Sequence, residues 1–312
     1  MKLRKYFLIT LLICTSAFSS TRTVEFVVPY APGGAADKFA QTILPVLKNE
    51  LSKEDLLPVI SYRPGAGSVI GISSVAKSDQ LQLVITSNSV ITAPVFNKLQ
   101  NSYNVAEDLE VVAYLGNIPL VMVTNPASGI NNFADLASRC KNKNFSYATG
   151  GPGTASHIGP AIVFSQLKCN PIQVPYKGLG PMLASLMGNH SSVATDFVSG
   201  VKGLIDDRKL IPLLVLDRNR LGAFPGVPSL TDVGMADSRL DNWFVIMVNR
   251  SANAQQLTQV RRAVAAAINT PDLVQQLQSM GLHGTGNKKS NNFLVDEQRN
   301  FERILKVIKI DE

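Results

Sequence analysis

Val24-Glu25-Phe26-Val27-Val28-Pro29-Tyr30-Ala31-Pro32-Gly33-Gly34-Ala35-Ala36-Asp37 is the stretch that decides the fold. Its first five residues read as an apolar strand. Just beyond it Phe39, Ile43, Leu47 and Leu51 recur at four-residue spacing and mark the buried face of a helix. A strand, a glycine-rich turn and a helix in that order leave free backbone N–H groups at a helix N-terminus. The unsatisfied donors and the helix dipole both favour negative charge there. Gly33 and Gly34 let the backbone approach a ligand and adopt positive φ without a Cβ clash. An ordinary βα turn has the same sequence, so the segment gains meaning only with the rest of the chain.

Working outward, strand-like and helix-like runs alternate, which predicts an α/β architecture with mainly parallel sheets. The first unit is strand 24–29 with helix 35–51, in which Pro45 is expected to kink or divide the helix. Strand 56–61, a Gly-rich loop, helix 69–77, strand 81–86 and a short helix follow, then strands 111–115 and 120–124. After Asn125-Pro126 a second series begins: helix 131–140, strand 145–149, helix 154–168, strand 172–176, helix 179–188, strand 192–196, helix 199–208 and strand 210–216. The apolar run Trp243 to Val248 reads as a buried strand returning to the first domain. Helices over 252–269, 271–281 and 291–309 end the chain. Thr270 before Pro271 is a helix start signal. Phe301, Ile304, Leu305 and Ile308 give the last helix one apolar face.

The amino terminus sets the compartment. Lys2, Arg4 and Lys5 precede an apolar core from Tyr6 to Ile13, and small residues follow, the layout of a secretory signal peptide over 1–19 with cleavage near Ala17 or Ser19. Ile13 is too bulky for the position before a lipidated Cys14. The expected location is the periplasm. Removing three cations from a formal charge of +7 leaves +4, spread without a Lys/Arg block, so nucleic-acid binding is not expected and a small anion fits better. Roughly 290 residues remain, enough for two cores.

Two cysteines remain after export, Cys140 and Cys169, each closing a helix-like segment just before a strand. Neighbouring parallel strands bring such positions together, so a disulfide is expected, the alternative being two free thiols. With two thiols and three scattered histidines, no metal site and no cofactor are expected.

Further loops fall at strand ends. Arg63-Pro64-Gly65-Ala66-Gly67-Ser68 resembles a dinucleotide loop, but its spacing to Gly71 is wrong and no acidic residue closes the next strand. Gly150-Gly151-Pro152-Gly153-Thr154-Ala155-Ser156-His157 repeats the strand, Gly-rich turn and helix start. Thr154 can cap that helix or meet a ligand, and His157 either supports the loop or contacts ligand as a neutral group. Lys177, after Val174-Pro175-Tyr176, is the cation at a strand end, and Asp196 ends the next strand. Ligands of open α/β sheets lie beyond the carboxyl ends of strands, so these loops share one edge. Ser156 and His157 are adjacent and do not face each other on a helix, and no G-x-S-x-G or H-E-x-x-H occurs. No catalysis is expected.

Assembled, the chain resembles the Bug-type solute receptors of tripartite tricarboxylate transporters. The likeness rests on Val27 to Gly34 with Asp37, on Arg63 to Gly67 with Ile70-Gly71, on Gly151 to Thr154 with His157, on Val174 to Gly178, and on Phe224-Pro225-Gly226-Val227-Pro228-Ser229-Leu230. It departs from the family at Ser78-Asp79-Gln80-Leu81, at Leu186-Met187-Gly188-Asn189 and at Met247-Val248-Asn249-Arg250. The resemblance implies a two-lobed, Venus-flytrap (type II periplasmic-binding-protein) fold, with lobe 1 over 24–123 plus 249–312 and lobe 2 over 124–248. Hinge crossings are expected near 120–125 and 243–249. It implies a small carboxylate held between the lobes by Tyr30, Ala31, Gly33, Gly34, Asp37, Ser87, Asn88, Gly153, Thr154 and His157, with Tyr176, Lys177 and Asp196 beside them. A monomer delivering its ligand to a membrane permease is the expected working form. A ligand-sensing partner of a signalling receptor and an exported α/β hydrolase are the alternatives.

Overall fold

The computed structural model describes residues 22–286 and 292–307, so the signal-peptide reading and Ile308 lie outside the described residues. Ten strands form two five-stranded sheets. They are β1 Arg22–Val28, β2 Leu56–Tyr62, β3 Gln82–Ser87, β4 Leu109–Asn117, β5 Leu120–Thr124, β6 Ser146–Thr149, β7 Ile172–Pro175, β8 Val193–Phe197, β9 Ile211–Val215 and β10 Trp243–Asn249. The first sheet has the order β2-β1-β3-β10-β4 and the second β7-β6-β8-β5-β9.

The helices are α1 Ala35–Ser52, α2 Val69–Ala76, α3 Ser89–Phe96, α4 Phe133–Arg139, α5 Ala155–Gln166, α6 Leu179–Met187, α7 Val198–Asp206, α8 Ala254–Ile268, α9 Pro271–Ser279 and α10 Phe293–Val307. α1 buries Phe39, Ile43, Leu47 and Leu51, the face its spacing predicted, and packs against α8 and α9. Pro45 does not divide it. The ring sits on the exposed side of the helix, so the carbonyl it leaves without a donor meets water.

Each sheet is parallel except for one strand. In the first, β10 runs antiparallel to β3 and β4. In the second, β5 runs antiparallel to β8 and β9. These two are the strands that arrive from the other lobe, and both sit inside their sheet.

Their pairing moves the expected boundaries. β5 belongs wholly to the second sheet, so the first crossing is Ile118-Pro119, and 120–123 leave lobe 1. β10 pairs in the first sheet, so Trp243–Asn249 joins lobe 1; the chain stays against β9 through Ser229 and Leu230, and the second crossing falls within 236–242. Both strands are buried along their length. An apolar run of this kind does not record which sheet it will enter.

Cys140 and Cys169 are bonded, with a Cα–Cα distance of 5.7 Å, and they tie the lead-in to β6 to the lead-in to β7. Among the described residues no helix is long and apolar enough to cross a membrane.

Candidate functional site

The two sheets present the carboxyl ends of their parallel strands to each other, and the space between is walled by four strand-to-helix loops. In lobe 1 the turn after β1 places Gly33 at φ +92°, a region that glycine enters at no steric cost. Gly34, at φ −81° and ψ 179°, is extended and serves as N-cap of α1. It therefore contributes open space, not unusual torsion. The Gly33 N–H donates to Asp37 Oδ2 at 2.8 Å, and the Tyr62 hydroxyl donates to Asp37 Oδ1 at 2.6 Å. Asp37 raises the Tyr62 pKa through that bond.

Tyr30 points the other way, into a cluster of hydroxyls. Its Oη lies 2.5 Å from Ser89 Oγ, 3.2 Å from Ser87 Oγ and 3.4 Å from Thr86 Oγ1, while Ser68 Oγ is 2.9 Å from Ser89 Oγ. Ser68 ends the glycine-rich loop and holds a left-handed φ of +103°, a strained conformation for a residue with a Cβ.

Lobe 2 supplies the mirror wall. Thr154 is the N-cap residue of α5, but its hydroxyl donates to the Gly151 carbonyl at 2.7 Å and reaches Ser156 Oγ at 2.9 Å. Ser156 Oγ accepts from the Gly150 N–H at 2.8 Å. His157 is buried, accepts from the Gly153 N–H through Nδ1 at 3.1 Å, and packs against Phe96 and Tyr147. Burial pushes its pKa down to about 4, so the ring is neutral and supports the loop. Ser156 and His157 thus each accept a backbone N–H of their own loop, Gly150 and Gly153.

The lobes touch along the rim. Thr92 donates to the Gly153 carbonyl, and Asn97 Nδ2 donates to the Pro152 carbonyl at 3.1 Å. Phe197 of lobe 2 packs on Phe244 of lobe 1, ring centroids 5.0 Å apart.

Two neighbouring spaces remain. The larger, about 260 Å³, lies between Tyr30, Gly65–Ser68, Asn97, Gly150–Pro152 and Tyr176–Gly178. The smaller, about 20 Å³, holds room for roughly one water and is lined by Gly34, Ala35 and Ala36 of α1 and by Thr154, Ala155 and Ser156 of α5. Tyr30, Gly150 and Gly178 border both. Neither helix has a side-chain cap on its first N–H groups. Two positive helix ends from two lobes thus meet at one chamber, a setting for an anion. Among the described residues no cluster of acidic, His and Cys side chains could hold a metal.

Of the expected contacts, Tyr30, Gly34, Ser87, Thr154, Tyr176 and Lys177 line these spaces. The Tyr176 hydroxyl is occupied by Ser185. Ala31 and Gly153 stand at the seam, Ala31 against Gly178 and Gly153 against Ala93. Like these two, the other five line neither space. Gly33 and Asp37 satisfy each other on the outside of their turn. Asn88 donates to Asn242 Oδ1 at 3.3 Å and faces the second crossing. His157 lies behind its loop.

Asp196 is wholly buried beneath α7, its Oδ1 accepting from the Phe197 N–H at 2.7 Å and its Oδ2 without a hydrogen-bond partner. Burial raises its pKa to about 7, against the opposing pull of Lys38. The sequence reading missed Ser68 and Asn97 as wall residues. Ser68 closes the glycine loop that begins at Arg63, whereas nothing in the local pattern distinguishes Asn97.

A family model described as tripartite tricarboxylate transporter family receptor matches residues 43–310. Protein BugT of Bordetella pertussis is 27% identical over 265 residues, spanning 83% of this chain and 80% of its own length. Among solved structures, the periplasmic binding protein BugD superposes with a TM-score of 0.85 at 21% identity, covering 93% of this chain and 98% of that one. MatC of Rhodopseudomonas palustris with bound malate superposes with a TM-score of 0.82 at 21% identity, covering 91% and 99%.

Proposed function

Since the chain belongs to the tripartite tricarboxylate transporter receptor family, a family of solute receptors and not of enzymes, we propose that it captures a small carboxylate between its lobes in the periplasm and presents it to a membrane permease. One observation carries the choice of ligand class: α1 and α5 aim their uncapped N-termini at the same chamber from opposite lobes. One carboxylate oxygen there, in place of a water, would accept backbone N–H bonds and gain from both dipoles. The hydroxyls of Tyr30, Ser87 and Thr154 border the chamber and can reorient to donate. The body of the acid would lie in the adjoining cleft of about 260 Å³, toward Lys177. Malate in the MatC site makes a four-carbon diacid the first candidate. Export is supported by the leader-like first 19 residues and by the Cys140–Cys169 bond, which suits an oxidising compartment.

The test is a thermal-shift screen of the mature chain, begun at Ser20, against carboxylates at about 1 mM. An acid with a dissociation constant near 1 µM should stabilise the protein by about 4 kcal/mol, several degrees in Tm. A cooperative melt that no acid shifts would remove carboxylates as the ligand class. Gly34→Val ties the result to the site. A Cβ at Gly34 would already stand 3.4 Å from Leu179 Cβ, so the larger side chain projects into the chamber, while φ −81° leaves the backbone unstrained. Affinity should be lost with the melt little changed; retained affinity would place the ligand elsewhere.

A further inference from the structure

Lys38 makes a contact that the ligand cleft does not use. It lies in the first turn of α1, lines neither interlobe space, and reaches across the lobe boundary to donate from Nζ to the Ser199 carbonyl at 3.0 Å. Ser199 opens α7, and beneath that turn lies Asp196, fully buried, with Oδ2 lacking any hydrogen-bond partner. The groups around Asp196 are few in kind. Val121 of β5 stands opposite it in the sheet, the Gly200 backbone of α7 closes over Oδ2, and the charge acting on it comes from Lys38 of α1. A Cβ at Gly200 would fall 2.1 Å from Oδ2, so the carboxyl fills space that only glycine leaves open.

We propose that Lys38 is a positioning residue that latches the two lobes shut through Ser199 and the buried Asp196 carboxyl, and so sets ligand affinity without touching the ligand. The proposal rests on the receptor reading for its affinity arm only. Opening the lobes withdraws Lys38 from both partners, so the latch exists in the closed form alone. Its strength depends on the charge of Asp196. The ammonium lowers the Asp196 pKa only while the lobes are shut, so the closed form holds the carboxylate better than the open one. That contribution is present above the open-form pKa and fades as pH falls through the closed-form value, about 7. The Lys38-dependent part of closure should therefore be larger at pH 8 than at pH 6.

The experiment compares wild type, Lys38→Met, Asp196→Asn and the double variant at both pH values. It reads the radius of gyration by small-angle scattering without ligand and with L-malate, and the L-malate affinity by calorimetry. Because Lys38 is exposed, the expected loss at pH 8 is modest, roughly two- to fivefold in Kd for Lys38→Met. The unliganded radius should rise, and both effects should shrink at pH 6 and in the Asp196→Asn background. An unchanged radius and Kd in Lys38→Met at pH 8 would overturn the latch. A Lys38→Met loss of the same size with Asn at 196 would overturn the part given to Asp196. If wild type does not bind L-malate, the choice of ligand fails, and the unliganded radii still decide the latch.

Discussion

Burial sets two side chains of lobe 2 at opposite ends of their titration ranges. His157 falls to about 4 and Asp196 rises to about 7, in both cases because the charged form is poorly solvated. The signs differ. Neutral His157 contributes stability above its unfolded pKa near 6.5, and that contribution is lost as pH falls toward 4. Neutral Asp196 contributes stability below its unfolded value near 3.8, and that contribution is lost as pH rises through about 7. Asp196→Asn removes the cost of a buried charge and should stabilise the protein at pH 8 by about 1–3 kcal/mol, a gain that shrinks as pH falls and is gone below the unfolded value near 3.8. His157→Gln keeps an acceptor for the Gly153 N–H and should flatten the loss of Tm between pH 6.5 and 4. Melting curves from pH 4 to pH 8 check both, and an Asp196→Asn chain that melts lower at pH 8 would mean the carboxylate is needed in its charged form. The sequence showed that these residues stand at strand and helix ends. It could not show which way they face. Asp37 and Asn88 sit beside residues that line the interlobe space, yet both turn to polar partners of their own.

At the scale of elements, the chain is legible because its local signals agree. Pro58, Pro175 and Pro212 lie on β2, β7 and β9, each an edge strand, where a missing N–H interrupts no inner ladder. Helix and strand limits follow the apolar periods closely, and many runs are bounded by Gly, Pro or Asn. What was not legible is pairing. β5 and β10 are buried on both faces, and their place inside the opposite lobe's sheet is decided by partners far away in sequence. The disulfide was legible for the reverse reason, because β6 and β7 pair as neighbours and bring their leading ends together. It closes a loop across 29 residues, for which chain entropy gives a stabilisation on the order of 3 kcal/mol. Replacing both cysteines by Ser should lower the stability of lobe 2 by about that amount in denaturant titration. The effect should match that of reductant on wild type. A reductant-insensitive wild type would show that the bond adds nothing.

The molecule works as a whole only if its lobes can meet backbone to backbone, and two glycines make that possible. Gly67 of lobe 1 sits at φ +63°, and a Cβ there would fall 2.4 Å from the Pro152 carbonyl of lobe 2. Gly153 of lobe 2 has φ +75°, and its Cβ would fall 2.4 Å from Ala93 Cα of lobe 1. The two 2.4 Å clashes exist only in the closed arrangement, so they oppose closure; within lobe 1 a Cβ at Gly67 also meets Ala93 Cβ at 3.1 Å, a tight contact that a small shift relieves. Gly67→Ala carries a second effect, the local cost of a left-handed residue with a Cβ, about 1–2 kcal/mol. Gly234→Ala isolates that effect, because Gly234 has φ +73° with open space where its Cβ would go. Both variants should therefore lose a similar few degrees of Tm. They should part in binding. Gly234→Ala should keep wild-type affinity for L-malate and the wild-type contraction of the radius of gyration on adding it. Gly67→Ala should keep a cooperative melt, lose the contraction, and bind more than tenfold more weakly, because its lobes cannot complete the seam at Thr92, Asn97 and Gly153. Equal affinities in the two variants would mean that the ligand is held without full closure, and the seam would then be packing and not part of capture.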